Sequence, residues 1–167
     1  MGDTISFMLK SATGQILPAM ASTLKKGRAY AIDKGVEESV LLSARLFPDM
    51  MPLLNQYQMA AETPARAAAR IAGLEMPSFE DAETSVDELL ERLEKCNQFV
   101  QAMDDEDLDA RERTVMEIPL GGMTVNWEGR QYLSTFVLPN LHFHASIAFA
   151  LLRHQGVEIG KRDFLMA

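Results

Sequence analysis

All three histidines of the chain, His142, His144 and His154, fall within the stretch HFHASIAFALLRHQG at residues 142–156. Imidazole is the commonest metal ligand in proteins and also titrates near neutral pH, so this stretch could hold a metal ion or supply a general base. Its apolar residues predict a helix, on which residues two positions apart differ by about 200°. His142 and His144 therefore cannot hold one ion from the same face.

His144 is the histidine predicted to face the core, because it shares its stripe of the helix with Leu141, Ala148 and Leu151. We predict that His142 is exposed and that His154 lies in the last turn, where the helix dipole favours an imidazolium. Two interpretations of His144 are open. It is either a histidine at the edge of the core that hydrogen bonds satisfy, or a metal ligand or general base.

Four long amphipathic segments must position these side chains. The first runs from Thr4 to about Leu24, with Pro18 as a predicted kink and residues 25–35 as a short helical turn and loop. The second runs from Pro48 to about Ala72, and its seven alanines between residues 60 and 72 predict close packing against another helix. Thr63-Pro64 is a point where this helix could be interrupted.

The third helix is predicted to open on a capping box formed by Ser85 and Glu88 and to reach about Met103. Residues 113–127 alternate around a Pro-Leu-Gly-Gly turn, which predicts a small β-hairpin. The fourth helix then spans about residues 129–155, with Pro139 as an internal kink or restart. These elements predict a single all-α domain over residues 1–167, an up-down four-helix bundle with a β-hairpin inserted before the last helix.

The composition of the chain argues against several classes of function. The net charge of −8 and the scattered basic residues argue against a nucleic-acid partner. The apolar runs are shorter than the roughly 20 residues that span a bilayer, and the first residues lack the pattern of a secretory signal, so we expect no membrane association and a cytoplasmic location. The only cysteine, Cys96, lies on the apolar stripe of the third helix, which favours a buried, inert thiol over a nucleophile.

Three stretches together resemble a known family. LPNLHFHASIAFALLRHQGVEIGKRDFL, SARLFPDMMPLLNQYQMAAETPARAAARIAG and FEDAETSVDELLERL are similar to the bacterial domain-of-unknown-function family "nineteen ninety-three". That family belongs to the DinB/YfiT-like superfamily, whose members are expected to be metalloenzymes. The resemblance covers about residues 5–165, and it implies an up-down four-helix bundle that often forms a homodimer.

The resemblance also bears on metal binding. In metal-binding DinB-like proteins one histidine comes from the second helix and two, spaced H-x-x-x-H, come from the last. The resemblance places the final ligand at His144 and the other last-helix ligand at Asn140, while the second helix has no histidine. One imidazole and an amide bind a divalent transition ion weakly, so we expect no stable metal and no cofactor. A divalent metal at His144 is the alternative.

Polar residues of the second helix suggest a pocket between the helices. Their spacing predicts that it is lined by Arg45, Asp49, Gln56, Asn140 and His144. In one interpretation Arg45 and Asp49 form an internal pair that fixes the kink at Pro48. In the other, Asp49 orients His144 as a base, which makes these two residues the catalytic candidates.

The tail signature Lys161-Arg162-Asp163 has two interpretations as well. Salt bridges from these residues could hold the tail against the helices, or the residues could bind a substrate. The first is favoured.

The leading hypothesis is a DinB-like helical-bundle protein that binds a small ligand in this pocket between the helices without a stable metal. One alternative is a metal-dependent transferase or hydrolase that acts on a small thiol or another metabolite. A second alternative is a non-catalytic structural or stress-response interaction module. We expect a homodimer.

Overall fold

The computed structural model describes residues 4–166 and is mostly helical, with one small two-stranded antiparallel sheet. In chain order the elements are α1 (Thr4–Asp33), α2 (Glu38–Leu42), α3 (Leu53–Ala72), α4 (Val86–Gln101), α5 (Asp105–Asp109), β1 (Val115–Leu120), β2 (Met123–Glu128), α6 (Gly129–Tyr132), a π-helical turn (Leu133–Val137), α7 (Leu138–His154) and α8 (Lys161–Leu165). The mostly helical class with a hairpin before the last helix is confirmed.

The four longest helices share one core. Helix α3 packs against both α4 and α7, and α1 packs against the same two helices. The contact faces are apolar, and the alanine-rich half of α3 is almost fully buried. Small side chains on α3 let its backbone approach its neighbours closely, so polar residues of α3 and α7 come within hydrogen-bond distance of each other.

Helix α1 is longer than predicted. Residues 25–33 were expected to form a helical turn and loop, but the helix continues to Asp33. Its inner side stays in the core there, since Gly27 and Ala31 are buried. A Cβ atom on Gly27 would lie 2.7 Å from Leu152 Cδ2, so this glycine permits a close helix contact that the polar sequence does not reveal.

Helix α3 begins at Leu53, so the prediction of a start at Pro48 was wrong. Residues 47–50 form a turn instead, in which the Met50 N–H donates to Phe47 O at 3.0 Å. Pro52 then stands as the N-cap with an extended backbone, and a proline there disfavours a helical conformation for Met51. The first helical turn therefore forms only beyond the second proline.

The rest of α3 is one uninterrupted helix, so Thr63-Pro64 does not break it. Pro64 is buried inside it, and the Thr63 hydroxyl donates to Met59 O at 2.7 Å. The helix ends at Gly73, whose φ of 73° is the left-handed conformation that glycine adopts most easily.

The predicted capping box opens α4. The Glu88 N–H donates to Ser85 Oγ at 3.3 Å, and the Ser85 N–H donates to the Glu88 carboxylate at 3.0 Å. Cys96 lies on the inner face of this helix, and burial raises the pKa of its thiol to about 12. A thiol with so high a pKa is protonated at neutral pH and a poor nucleophile.

The hairpin pairs β1 with β2 and turns at Gly121 and Gly122, whose φ values of 55° and 85° fit a type I′ turn. Pro119 belongs to β1, opposite Thr124, and not to the turn as predicted. Ile118 is the buried residue through which the hairpin packs on the helices.

The last helical stretch changes its geometry just before Pro139. Residues 133–137 form a π-helical turn, and α7 follows directly. Because proline has no N–H to donate and its ring displaces the carbonyl four residues earlier, the preceding turn widens. The irregularity predicted at Pro139 is this wider turn.

One stretch of the described residues, Gly129–His154, is long and apolar enough to cross a membrane, with a mean hydropathy of 1.4. The central helix of a water-soluble fold passes the same test. This stretch contributes a face to the common core, where Leu141, Ala145 and Leu152 are buried.

The C-terminal segment folds back onto α1. Asp163 lies 2.5 Å from Lys26 Nζ and also accepts the Gly160 N–H at 2.7 Å. Lys161 and Arg162 are exposed. In this segment Asp163 is thus the residue of the tail signature that forms a salt bridge to α1.

Candidate functional site

His144 lies on the inner side of α7 and is 8% exposed. Its Nδ1 is 2.8 Å from Gln56 Oε1 on α3, and the amide of Gln56 donates through Nε2 to Met51 O at 3.1 Å. That second bond fixes the orientation of the amide, so its oxygen faces the imidazole. Nδ1 therefore carries the proton, and the lone pair lies on Nε2.

Burial lowers the pKa of His144 below its ordinary value, so the ring is neutral near pH 7. The ring of Phe143 lies edge-on to it at a centroid distance of 5.2 Å. A neutral imidazole with a fixed tautomer has the chemistry of a base or of a single metal ligand. His142, in contrast, is exposed, and its Nδ1 lies 2.7 Å from Leu138 O within its own helix.

Arg45 and Asp49 do not lie where the sequence placed them. Both precede α3 and are exposed, so they share no helix face with Gln56. Arg45 Nη1 donates to Met50 O at 2.5 Å. Among the hydrogen bonds and ion pairs of residues 4–166, none joins Asp49 to Arg45 or to His144; the partner of the imidazole is Gln56.

Asn140 lies one helical turn before His144 on α7. Its Nδ2 donates to Thr63 Oγ1 at 2.8 Å, so α7 is joined to α3 at a second polar point. Thr63 is a site residue that sequence reasoning missed. It follows Gln56 by two helical turns, and that spacing could have identified it as a partner for the residue one turn before His144.

A cavity of about 440 Å³ opens beside Asn140, between α3, the hairpin and the segment from Tyr132 to Asn140. Of the five residues predicted to line a pocket, only Asn140 borders it. Four charged residues of α3 and the following loop do so as well, namely Glu62, Arg66, Arg70 and Asp81. The residues predicted to line one polar pocket are thus separated in the structure. His144 and Gln56 form a buried hydrogen-bonded pair, whereas Asn140 borders the open cavity.

Arg92 of α4 organises the charges on one side of this cavity. Its side chain is 5% exposed and forms ion pairs with Glu62, with Asp81 at 2.9 Å and with Glu83 at 2.5 Å. One feature of the sequence points to this network, namely an arginine at an inward position between Leu89 and Cys96. Its partners could not be read from the sequence, because two of them lie in an irregular loop.

Glu62 connects this network to the cavity wall. It is buried, and Arg66 Nε lies 2.8 Å from its second carboxylate oxygen. Burial raises the pKa of Glu62, while the guanidinium groups of Arg92 and Arg66 oppose that rise. The guanidinium groups of Arg92 and Arg66 therefore both stabilise the ionised carboxylate of Glu62.

Arg70 differs from the other charged residues of the cavity. Its Nη1 donates to Glu117 O at 3.3 Å, and its guanidinium is near enough to the Tyr132 hydroxyl to oppose the rise in the pKa of that group. Its Nε is buried without a partner. Within residues 4–166 it takes part in no ion pair, so its positive charge is uncompensated by a carboxylate.

The donor set does not fit the metal of the superfamily. The described residues contain no group of three or more His, Cys, Asp or Glu side chains placed to hold one ion. Around His144 the nearest polar side chain is an amide, and Glu62 is held by two arginines.

The fold is that of a DinB-like helical domain. The crystal structure of a DinB family member protein from Shewanella denitrificans is similar to it with a TM-score of 0.87 and 29% sequence identity, covering 100% of this chain and 97% of that chain. The model of the family described as "Domain of unknown function (DUF1993)" matches residues 9–165. The chain belongs to this family, as the resemblance predicted. No curated protein matches it.

Proposed function

We propose that this protein binds a small organic ligand in the cavity between α3, the hairpin and α7. The observation that carries the proposal is the cavity itself, whose volume of about 440 Å³ lies in the range of small-molecule sites. Its wall combines apolar side chains with a few convergent polar groups, which is the usual composition of such sites.

The polar groups are held by the fold, so the site needs little reorganisation. Asn140 is fixed by Thr63, and Glu62 is fixed by two arginines. Ordered side chains reduce the entropy that is lost on binding. His144 lies one turn further along α7, where its bond to Gln56 joins α7 to α3 beside the cavity, and Arg45 and Asp49 have no part in the proposed site.

The proposal includes the finer features expected from the sequence. We propose an up-down four-helix bundle that is cytoplasmic, bacterial and homodimeric and that needs no stable metal. Light scattering tests the dimer, since a mass near that of one chain would remove it. Metal analysis of protein purified without chelators or a histidine tag tests the metal, and near-stoichiometric zinc, nickel or iron that is lost in His144→Ala would overturn that part.

Methionine methyl groups provide a direct test of ligand binding. Met59 and Met76 line the cavity, whereas Met20 is buried in the core and Met123 is exposed on the hairpin. In protein labelled with ¹³C at the methionine methyl groups, we expect members of a small-molecule library to shift the Met59 and Met76 signals and to leave the Met20 and Met123 signals in place.

A pair of variants on one strand provides the control. Leu120→Trp fills the cavity from the hairpin, and Val115→Trp places the same ring on the exposed end of β1. We expect the first to abolish the ligand-induced shifts and the second to retain them. A library that moves neither cavity methyl group in the wild-type protein would contradict the proposed function.

A further inference from the structure

Three of the four charged residues that line the cavity take part in ion pairs, and the fourth, Arg70, takes part in none within residues 4–166. Arg66 is paired with Glu62, and both Glu62 and Asp81 are paired with Arg92. Arg70 alone among the charged lining residues takes part in no ion pair with the described part of the chain. The cavity wall therefore presents one guanidinium without a direct carboxylate partner in that part of the chain, that of Arg70.

The hydrogen bonding of Arg70 is also incomplete. A guanidinium has five N–H donors, and the acceptor of this one is a backbone carbonyl at 3.3 Å, with the Tyr132 hydroxyl nearby. Its Nε has no partner although it is buried. Burial raises the pKa of Tyr132, so its hydroxyl is neutral and does not compensate the charge.

The remaining wall is apolar. Met59, Met76, Ile118, Leu120 and Phe136 contribute side chains to the cavity, so a ligand must bring an apolar body together with its polar group. One free guanidinium matches one negative charge. A dianion such as a phosphate monoester would bring a second charge close to Glu62 and Asp81, which already line the site.

We propose that the ligand is an apolar monocarboxylate and that Arg70 binds its carboxylate group. This inference rests on the proposed function and specifies the chemical class of its ligand. The carboxylate accepts hydrogen bonds from the guanidinium, with the planar geometry that the two groups share, and the apolar body packs against the methionines and the hairpin.

Three probes with the same apolar body separate the contributions. We use 4-phenylbutyrate, 4-phenylbutan-1-ol and 4-phenylbutylamine with the methyl-labelled protein at near-neutral pH. Because a hydrogen bond to a charged group contributes more than a neutral one, we expect the carboxylate to bind about 10-fold or more tightly than the alcohol. The amine, which repels Arg70, should bind most weakly.

Two arginine variants on the same wall complete the test. Arg70→Met should weaken 4-phenylbutyrate binding at least about 10-fold and leave binding of the alcohol unchanged. Arg66→Met removes the same charge one helical turn earlier, from a group already paired with Glu62, and should have a much smaller effect. Circular dichroism verifies that both variants are folded.

The outcomes distinguish the two proposals. If the carboxylate and the alcohol bind the cavity equally, or if both arginine variants weaken the carboxylate to the same extent, the role of Arg70 is overturned while ligand binding stands. If none of the three probes shifts Met59 or Met76, this inference is overturned, and the library experiment then decides the proposed function separately.

Discussion

Arg92 and Arg70 each leave a buried Nε–H group without a hydrogen-bond partner, yet their surroundings differ in charge. Arg92 is enclosed by carboxylates from α3 and from the loop before α4, whereas Arg70 has a carbonyl and a tyrosine as neighbours. A cation whose charge is fully compensated serves to hold elements together. A cation without a carboxylate partner, on the wall of a cavity, is available to a ligand.

The region around Arg92 is also closed by an aromatic ring. The centroid of the Phe79 ring lies 5.2 Å from the guanidinium carbon of Arg92 and 5.5 Å from that of Arg66. Together with Asp81 and Glu83, this ring fixes the loop to α3 and α4. Asp81 also lines the cavity, so the ion-pair network around Arg92 forms part of the cavity wall.

The largest expected effect comes from Arg92→Met. This change leaves Glu62 and Glu83 as buried or half-buried carboxylates without their main partner, so we expect a loss of about 3–5 kcal/mol in the free energy of unfolding. Urea denaturation followed by circular dichroism measures it. Lys95→Met is the control on the same helix, since Lys95 forms an exposed pair with Glu91 and should change stability by less than about 0.5 kcal/mol.

A smaller loss is expected for Gln56→Leu, which removes the acceptor of the His144 Nδ1–H group. A buried donor without a partner costs about 1–3 kcal/mol. The double variant Gln56→Leu/His144→Leu removes both polar partners, so it should be less destabilised than the sum of the two single variants. Additive losses in urea denaturation would mean that the two side chains are not coupled.

Local signals made much of the fold predictable. The capping box at Ser85 and the glycine pair of the hairpin depend on neighbouring residues, and both are present. The start of α3 was misplaced because the apolar periodicity continues backwards past Pro52 to a second proline that could also open a helix. The extension of α1 depends on the contact between Gly27 and Leu152, which only the tertiary structure defines.

The candidate site was predictable only in part, for a similar reason. The inward position of His144 follows from its stripe on the helix, and Gln56 lies opposite it. The cavity is formed by the hairpin against α3, and its charges depend on the loop that reaches Arg92. Such contacts between distant segments leave no periodic pattern. Sequence reasoning therefore placed Asp49 on α3 beside His144, whereas it lies exposed before that helix.

The pH dependence of stability tests the environment of His144. Burial lowers the pKa of His144 in the folded protein below the value of 6.5 that is ordinary for an unfolded chain. At a pH between the folded-state pKa and 6.5, the unfolded chain therefore binds a proton that the folded chain does not. The free energy of unfolding therefore decreases as the pH falls below about 6.5, by at most about 1.4 kcal/mol per pH unit, until the lowered pKa is reached.

Urea denaturation at pH 7.5 and pH 5.5 isolates this contribution. The loss of stability between the two pH values should be smaller in His144→Leu than in the wild-type protein, since carboxylates titrate in both. His142→Gln is the matched control at the exposed histidine of the same helix and should behave as the wild type does. Equal losses in His144→Leu and wild type would show that the imidazole is solvated.

The smallest expected effect on stability is that of Arg70→Met, and it sharpens the contrast with Arg92. Because Arg70 has no carboxylate partner, its removal strands no buried charge, and it eliminates a buried N–H group that has no acceptor. We expect the free energy of unfolding to change by less than about 0.5 kcal/mol, or to rise slightly. A loss in urea denaturation as large as that of Arg92→Met would place Arg70 among the residues that hold the fold together, and the cavity would then lack a free cation.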